Sequence, residues 1–179
     1  MLSAIIPTRE SERSLVPTLN ALFPAVMTGM LAEVIVADAG SCDATREVAD
    51  VAGCSFLSSD APLGARLKSA VAASKSTWLL FLPAGSVLEA NWVEPVHSFI
   101  ARGNLDRSAT FRFSTDGFFG ALRASLGRPK PEHGLLIARR TYDALGGHDA
   151  TDNADAALLR KLGRRIAYLP VAVTVRRYT

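Results

Sequence analysis

Apolar positions follow two patterns that alternate along the first hundred residues. Four short runs rich in β-branched or aromatic residues predict strands at 3–7, 34–37, 55–57 and 78–82. Between and after them, apolar residues recur at helical spacing and predict helices from Ser14 to Pro24 and over 46–52, 65–74 and 91–101. This β-α-β-α-β-α-β-α order predicts a mostly parallel sheet with helices on its faces.

The first and last parts of the chain add further expectations. The first helix should turn Val16 and Phe23 inward together with its leucines. After residue 102, strands are predicted at 109–113, 134–138 and 166–175, and helices at 117–126, 141–145 and 154–162. The helix at 117–126 has an apolar face that begins with Phe118 and Phe119 and is followed by basic residues. This face predicts packing on the sheet or, as the alternative, contact with a membrane interface.

Composition restricts the class of protein. The chain has 179 residues, of which 49% are hydrophobic and 21% charged, as expected for one globular domain with a sizeable core. It shows no apolar run near the roughly 20 residues of a membrane span and no secretory leader, so we expect a cytoplasmic protein. Its two cysteines lack metal-like spacing. A net charge of +3 suits small anions or a membrane surface and is too weak to indicate nucleic acid.

The stretch 33–45, EVIVADAGSCDAT, is a predicted buried strand that ends at Asp38 and continues through a small polar turn into a helix. Open α/β sheets bind ligands at the carboxyl ends of such strands, where Asp38 can accept hydrogen bonds from a ribose or a base. A plain turn role for Asp38 explains the pattern equally well. No glycine-rich loop follows the first strand, which argues against a nicotinamide dehydrogenase, a P-loop nucleotidase and a nucleotidyltransferase.

The chain resembles a family 2 glycosyltransferase of GT-A fold in segments that follow one another in order: SAIIPTRE, EVIVADAGSCDAT, LGARLKSAVAAS with WLLFLPAGSVLEANWV, EHGLLIARRTYDALGGHD, and DNADAALLRKLGRRIAYLP with VAVTVRR. It is most similar to the small bacterial branch that includes the arsenosugar-type enzymes. The resemblance implies one GT-A-like domain over 1–179, with a nucleotide-binding half (1–102) and an acceptor-side half (103–179). It also implies inverting transfer of a sugar from a nucleotide-diphosphate sugar.

The resemblance further implies a set of substrate-binding residues, namely Pro7, Thr8, Glu10, Asp38, Arg66, Ser86 and Glu132. The loop after the first strand lies beside the nucleotide in this family. Asp38 matches the acid that binds uracil or ribose, and Glu132 keeps an acid in a turn that faces the acceptor. Arg66 matches a basic residue near the donor phosphates, because an arginine fork at a helix start can hold pyrophosphate oxygens. A solvated helix residue is the alternative interpretation of Arg66.

The match fails at the metal motif. The family has an Asp-x-Asp-like motif directly after the strand at 78–82, and its last acid holds Mg²⁺ or Mn²⁺ on the donor diphosphate. Here Gly85 stands in place of that acid. Hard divalent cations need oxygen ligands, usually including a carboxylate, so we assign no residue to a metal. Basic side chains can neutralise a leaving diphosphate instead, and the candidates are Arg66, Lys68, Arg139 and Arg140.

The acceptor side offers two candidates for the catalytic base. The family carries a Glu-Asp pair before its last helix, and the segment 151–155 here reads TDNAD, with Asp152 and Asp155 as the acids. Either carboxylate can take the proton of an acceptor hydroxyl, and either can instead cap the helix. The alternative function is a degenerate glycosyltransferase-like domain that binds a ligand or a protein partner without turnover. A lipid-linked acceptor, a partner subunit and a second copy of the chain are further expectations.

Overall fold

The computed structural model of the protein describes residues 1–103, 106–113 and 128–176. In these ranges the strands are β1 (Leu2–Thr8), β2 (Leu31–Asp38), β3 (Ser55–Ser58), β4 (Trp78–Phe81), β5 (Ser86–Leu88), β6 (Ser108–Phe113), β7 (Leu135–Ala138) and β8 (Ile166–Val175). The helices are α1 (Glu12–Met27), α2 (Thr45–Val51), α3 (Leu63–Ala73), α4 (Val93–Ala101), α5 (Arg139–Ala144) and α6 (Ala154–Leu162). The predicted helix at 117–126 lies outside the described residues.

The strands form one sheet in the order β3-β2-β1-β4-β7-β6-β8-β5. Strands β1 to β4 are mutually parallel, as the alternation of strands and helices predicted. Strand β7 runs antiparallel to β4 and to β6, whereas β6 and β8 are parallel. Strand β5 is the last strand of the sheet and runs antiparallel to β8. The fold is therefore a mixed, mostly parallel α/β sheet, and the predicted fold class is confirmed.

Helices cover both faces of the sheet because alternate strand residues point to opposite sides. On one face, Ile6 of β1 packs with apolar side chains of α1, α2 and α4, including the fully buried Leu15. On the other face, Ile5 packs with α3, α5 and α6, including Leu67. No helix in the described part of the chain is long and apolar enough to cross a membrane.

Two predictions about the first helix are wrong. Helix α1 continues through Pro24 to Met27, because Pro24 removes only the hydrogen bond to the carbonyl of Asn20, an exposed residue. Buried Leu22 and Ala25 hold the helix on the sheet on both sides of this proline. Val16 and Phe23, which were predicted to point inward, are 43% and 60% exposed.

Strand β5 was not predicted, because its three residues are too few to show a period.

One edge of the sheet collects the ends of the parallel strands. Thr8 at the end of β1 pairs with Asp38 at the end of β2, which in turn pairs with Ser58 at the end of β3. Strand β7 runs the other way, so its first residue, Leu135, lies beside Phe81 at the end of β4. We call this side of the sheet the carboxyl edge. The loops 9–11, 39–44, 59–62, 82–85 and 130–134 emerge there.

Candidate functional site

Asp38 ties the first three strands together at the carboxyl edge. Its side chain is fully buried. Oδ1 accepts hydrogen bonds from the Thr8 hydroxyl (2.8 Å) and the Ser41 hydroxyl (2.5 Å). Oδ2 accepts from the Ser41 N–H (2.8 Å) and the Ser58 hydroxyl (3.1 Å). A carboxylate offers about four lone pairs, so donors of the protein itself use all of them.

These contacts keep Asp38 ionised. Burial raises the pKa of its carboxyl, but the hydrogen bonds from Ser41, Thr8 and Ser58 together lower the pKa by more, and the net shift is downward. The predicted contact of Asp38 with uracil or ribose stays a prediction. In this structure Asp38 fixes the ends of β1, β2 and β3 and presents no free oxygen at the edge.

Glu10 joins the loop after β1 to the loop after β2. Its backbone is in the left-handed region, with φ of 47°. Its N–H donates to the Ser41 hydroxyl (2.8 Å), and its carboxylate accepts from the N–H groups of Cys42 (2.9 Å) and Asp43 (3.2 Å). In return, Asp43 accepts from the N–H of Glu12 (3.0 Å). The two loops that flank the expected nucleotide position are therefore locked by reciprocal carboxylate bonds.

Arg66 lies in the first turn of α3 and reaches back over the ends of β1 and β2. Its Nε donates to the carbonyl of Ala61 (3.2 Å), and its Nη1 donates to the carbonyls of Ala37 (2.5 Å) and Thr8 (3.5 Å). Burial lowers the pKa of the guanidinium, and Asp38 partly offsets this effect. Among the described residues Arg66 forms no ion pair. It is thus a half-buried cation at the carboxyl edge.

A small hollow of about 20 Å³, room for about one water molecule, opens between the ends of β1 and β4 and helix α6. Its lining is mostly apolar and consists of Pro7, Leu67, Phe81, Leu82, Pro83, Pro131, Gly134, Leu135, Asp155 and Leu159. The sequence-predicted residues Pro7 and Asp155 therefore face the same space, although 148 positions separate them in the chain. Among the described residues, Asp155 contributes the only ionisable side chain of this lining.

Two buried side chains hold Asp155 in place. The Nε2 of His148 lies 3.0 Å from Oδ1 of Asp155, and the Nδ1 of His148 lies 2.9 Å from the Tyr142 hydroxyl. A neutral ring with its proton on Nε2 satisfies both contacts, since it donates to the carboxylate and accepts from the hydroxyl. Burial raises the pKa of Tyr142, so this hydroxyl keeps its proton. The ring of Phe81 packs edge-on against His148 at 4.9 Å.

Sequence reasoning did not identify Tyr142 or His148. The chain turns back on α5 at Gly146 and Gly147, and this turn brings the two residues together. These two adjacent glycines are the sequence signal that could have indicated the contact. Gly147 has φ of 67°, and a Cβ there would lie 2.6 Å from the Tyr142 ring. Only a glycine fits this close approach.

Asp152, the other candidate base, has a different position. It is exposed, and its Oδ1 accepts from the N–H of Leu63 at the start of α3 (3.1 Å). The neighbouring Thr151 carbonyl accepts from the N–H of Gly64 (3.0 Å). A Cβ at Gly64 would lie only 1.7 Å from the carbonyl oxygen of Asp149. The segment before α6 is therefore pressed against α3, and Asp152 satisfies the start of that helix.

The remaining predicted substrate residues lie at different depths. Glu132 is in a short 3₁₀ turn (Pro131–His133) beside the hollow, and its carboxylate lies 3.7 Å from the Lys130 ammonium. Ser86 is fully buried in β5, and its Oγ has no hydrogen-bond partner among the residues that the structure describes. Lys68 is exposed on α3.

Four basic residues were predicted to bind the donor phosphates, and for Arg139 and Arg140 this prediction is wrong. Strand β7 runs antiparallel to β4, so Arg139 and Arg140 emerge at the edge opposite the hollow. The Arg139 guanidinium donates to the carbonyls of Val71 (3.0 Å) and Ser74 (2.8 Å), at the end of α3. Arg140 pairs with Asp106 at 2.7 Å.

The sequence profile of glycosyl transferase family 2 matches residues 3–161 of the chain. The chain belongs to this family. A search of curated proteins finds no match. The predicted resemblance to family 2 is confirmed, and the arsenosugar-type branch stays a prediction.

Solved structures of family 2-like enzymes share the fold. Glucosyl-3-phosphoglycerate synthase from Mycobacterium tuberculosis, solved with Mn²⁺, UDP and glucosyl-3-phosphoglycerate, is 18% identical with a TM-score of 0.71, and the match covers 100% of this chain and 72% of that one. S. aureus TarS 1-349, solved with UDP-GlcNAc, is 17% identical with a TM-score of 0.75, and the match covers 99% of this chain and 59% of that one. These similarities support a GT-A nucleotide-sugar transferase fold.

Gly85, which the sequence resemblance predicted to stand in place of a metal-binding acid, is enclosed by backbone. Gly85 has φ of 92°, and a Cβ there would lie 2.3 Å from the carbonyl oxygen of Arg176. Its N–H donates to Ser14 and Thr18 (both 2.9 Å), and its carbonyl accepts from the Arg176 N–H (2.9 Å). Glu89 is at the far end of β5, where it binds the N–H of Ala172 (2.8 Å). In the ranges that the structure describes, no cluster of three His, Cys, Asp or Glu side chains could hold a metal.

Proposed function

We propose that this family 2 chain transfers a sugar from a nucleoside diphosphate sugar to a hydroxyl acceptor at the carboxyl edge. The observation that carries the proposal is the Asp155 carboxylate, which faces an apolar hollow between the strand ends and is held on one side by His148. An oriented carboxylate in such a hollow suits a general base. The position agrees with the rule that α/β sheets bind ligands beyond the carboxyl ends of their strands.

The donor is proposed to lie across the ends of β1 and β2. The loops 9–11 and 39–44 form a preorganised rim there, because Glu10 and Asp43 tie them together. Arg66 supplies a positive charge beside this rim, and guanidinium groups bind phosphate oxygens well. The M. tuberculosis synthase was solved with UDP and S. aureus TarS with UDP-GlcNAc, which favours a uridine diphosphate sugar as the donor here.

The proposed chemistry is a single displacement. Asp155 accepts the proton of the acceptor hydroxyl while that oxygen forms a bond to the anomeric carbon of the donor sugar. The bond from this carbon to the diphosphate oxygen breaks, and the diphosphate leaves with the electron pair. One displacement inverts the configuration at the anomeric carbon. Oδ1 of Asp155 is held by His148, and no other described residue bonds Oδ2, so Oδ2 is the atom that takes the proton.

A second candidate function is ligand binding without turnover, and two observations favour it. Gly85 stands in place of the metal-binding acid by the sequence resemblance, and its backbone leaves no space for a side chain. Asp38 is the residue expected to contact the nucleotide, but its carboxylate already accepts four hydrogen bonds from the protein itself. In this case the carboxyl edge would bind a sugar or nucleotide, and the carboxylate of Asp155 would only position it.

Calorimetric titration with UDP-, GDP- and dTDP-sugars, together with an assay of nucleotide release, separates these functions. The transferase proposal predicts binding of at least one donor and slow release of its nucleotide to water, both in the wild type. Asp155→Asn should keep the binding and lose the release, whereas the matched variant Asp152→Asn should keep both. Binding without release in the wild type would support the second function. Failure of every donor to bind would contradict both.

A further inference from the structure

The loop that matches the metal motif is held by hydrogen bonds to two neighbouring elements. Gly85 donates its N–H to α1, and its carbonyl accepts from the backbone N–H of Arg176, directly after β8. Its left-handed conformation and the 2.3 Å approach of the Arg176 carbonyl to a Cβ position exclude every side chain larger than that of glycine. A single substitution therefore cannot restore an acid there without moving β8.

The acids around the proposed donor position accept hydrogen bonds from donors of the protein itself. Asp38 has no spare lone pair, and Glu10 binds two N–H groups of the next loop. Asp43 accepts from Glu12 through one oxygen and from Thr45 through the other. Glu10, Asp38 and Asp43 thus offer no carboxylate pair free to hold Mg²⁺ or Mn²⁺, which need several oxygen ligands.

Three arginines lie at or near the carboxyl edge, close to the proposed donor position. Arg66 is half-buried at the ends of β1 and β2 and has no ion pair among the described residues. Its Nε and Nη1 donate to backbone carbonyls, so among the described residues only its Nη2 is left without a partner. Arg176 is exposed, and its backbone contacts Gly85, the residue in place of the metal-binding acid. Arg9, at the tip of the loop after β1, is also exposed. A guanidinium group stays charged at all ordinary pH values and can bind two phosphate oxygens at once.

We propose that this chain neutralises the donor diphosphate with Arg66 and Arg176 and needs no divalent cation. The inference rests on the proposed function, because it concerns the same donor site. In the transfer step the negative charge that develops on the leaving diphosphate oxygen is stabilised by the two guanidinium groups, which are not consumed.

Titration of UDP into the full chain, once with EDTA and once with excess Mn²⁺, tests the inference on the wild type. We expect the same dissociation constant in both, within about twofold, which is about 0.4 kcal/mol. Binding that occurs only with Mn²⁺ would overturn the inference and leave the proposed function intact. Absence of UDP binding under both conditions, with GDP and dTDP also failing, would overturn the proposed function as well.

A variant series separates charge from structure. Arg176→Ala should weaken UDP binding about tenfold, or about 1.4 kcal/mol, and should leave uridine binding unchanged, because uridine carries no phosphate. Arg102→Ala is the matched control, since Arg102 is also exposed but follows α4. Equal UDP affinity of Arg176→Ala and the wild type would overturn the role of Arg176. Equal unfolding temperatures would show that all variants are folded.

Discussion

The two sides of the carboxyl edge use their carboxylates in opposite ways. On the proposed donor side, the oxygens of Glu10, Asp38 and Asp43 accept hydrogen bonds from neighbouring strands and loops. On the proposed acceptor side, Asp155 has one oxygen bound to a buried histidine and lines a small hollow. Acids of the first kind build a rigid rim, whereas the acid of the second kind keeps one oxygen without a partner among the described residues, as the proposed base requires. An acid at a strand end is therefore not by itself a sign of ligand contact.

The largest expected effect concerns Asp155. Replacing it by asparagine keeps the size of the side chain and removes the proton acceptor, so we expect nucleotide release from a UDP-sugar to fall by about 10²- to 10⁴-fold. Donor affinity should change little, because the donor rim is formed by other loops. Steady-state release rates and calorimetric titration measure the two quantities. A loss of less than about threefold would show that Asp155 is not the base.

The next effect concerns Gly85. Gly85→Ala should lower the free energy of unfolding by about 3 kcal/mol, because the added methyl group both clashes with the Arg176 carbonyl and strains a left-handed residue. Gly40→Ala is the matched control: its φ is 76°, and no atom lies within 4 Å of the added group. It should cost only about 1 kcal/mol. Equal costs in urea denaturation would contradict the proposed packing of β8 against this loop.

Asp38 should affect stability more than ligand binding. We expect Asp38→Asn to cost about 2 kcal/mol at neutral pH, because the amide group turns one donor toward the buried donors around it. Its carboxyl has a lowered pKa in the folded state. The stabilisation is therefore complete above the unfolded pKa, near 3.8, and is lost as the pH falls through the folded pKa.

The pH dependence gives this prediction its control. The wild type should lose more stability than Asp38→Asn between neutral pH and acid, as followed by denaturation midpoints. Asp60→Asn changes an exposed acid in the loop after β3 and should behave like the wild type. Parallel curves for the wild type and Asp38→Asn would show that the hydrogen bonds to Asp38 do not stabilise the fold.

The smallest expected effect concerns His148. His148→Phe keeps a ring against Phe81 but removes the donor to Asp155, and we expect turnover to fall about tenfold with unchanged donor affinity. His148→Gln retains an N–H donor and should recover part of the loss. If phenylalanine and glutamine reduce turnover equally, the hydrogen bond to Asp155 has no role and His148 serves only packing.

The sequence alone was sufficient for the elements whose apolar pattern is long. Strand β8 and helix α6 have the predicted bounds, and the four parallel strands follow from their buried runs. The edge at which a side chain emerges depends on strand direction, which a local pattern does not contain. Arg139 was assigned to the phosphates for this reason, although β7 runs antiparallel and carries it to the opposite edge.

The site was predictable to a smaller extent. Resemblance to family 2 led to Asp38 and Asp155, but it could not indicate which of them has a free oxygen. That difference comes from hydrogen bonds across 20 to 30 positions, such as those from Ser58 and Thr8 to Asp38. Tyr142 and His148 were missed because two glycines, rather than a recognisable motif, bring them together.

The central claim is that the donor binds at the carboxyl edge, beside Arg66 and Asp155. Hydrogen exchange of the full chain with and without a bound UDP-sugar tests this position directly. We predict slower exchange in the loops 9–12, 39–45 and 61–66 and at the start of α6, with no change in α4. Protection confined to α4 and the first residues of β8, at the other end of the sheet, would contradict the claim.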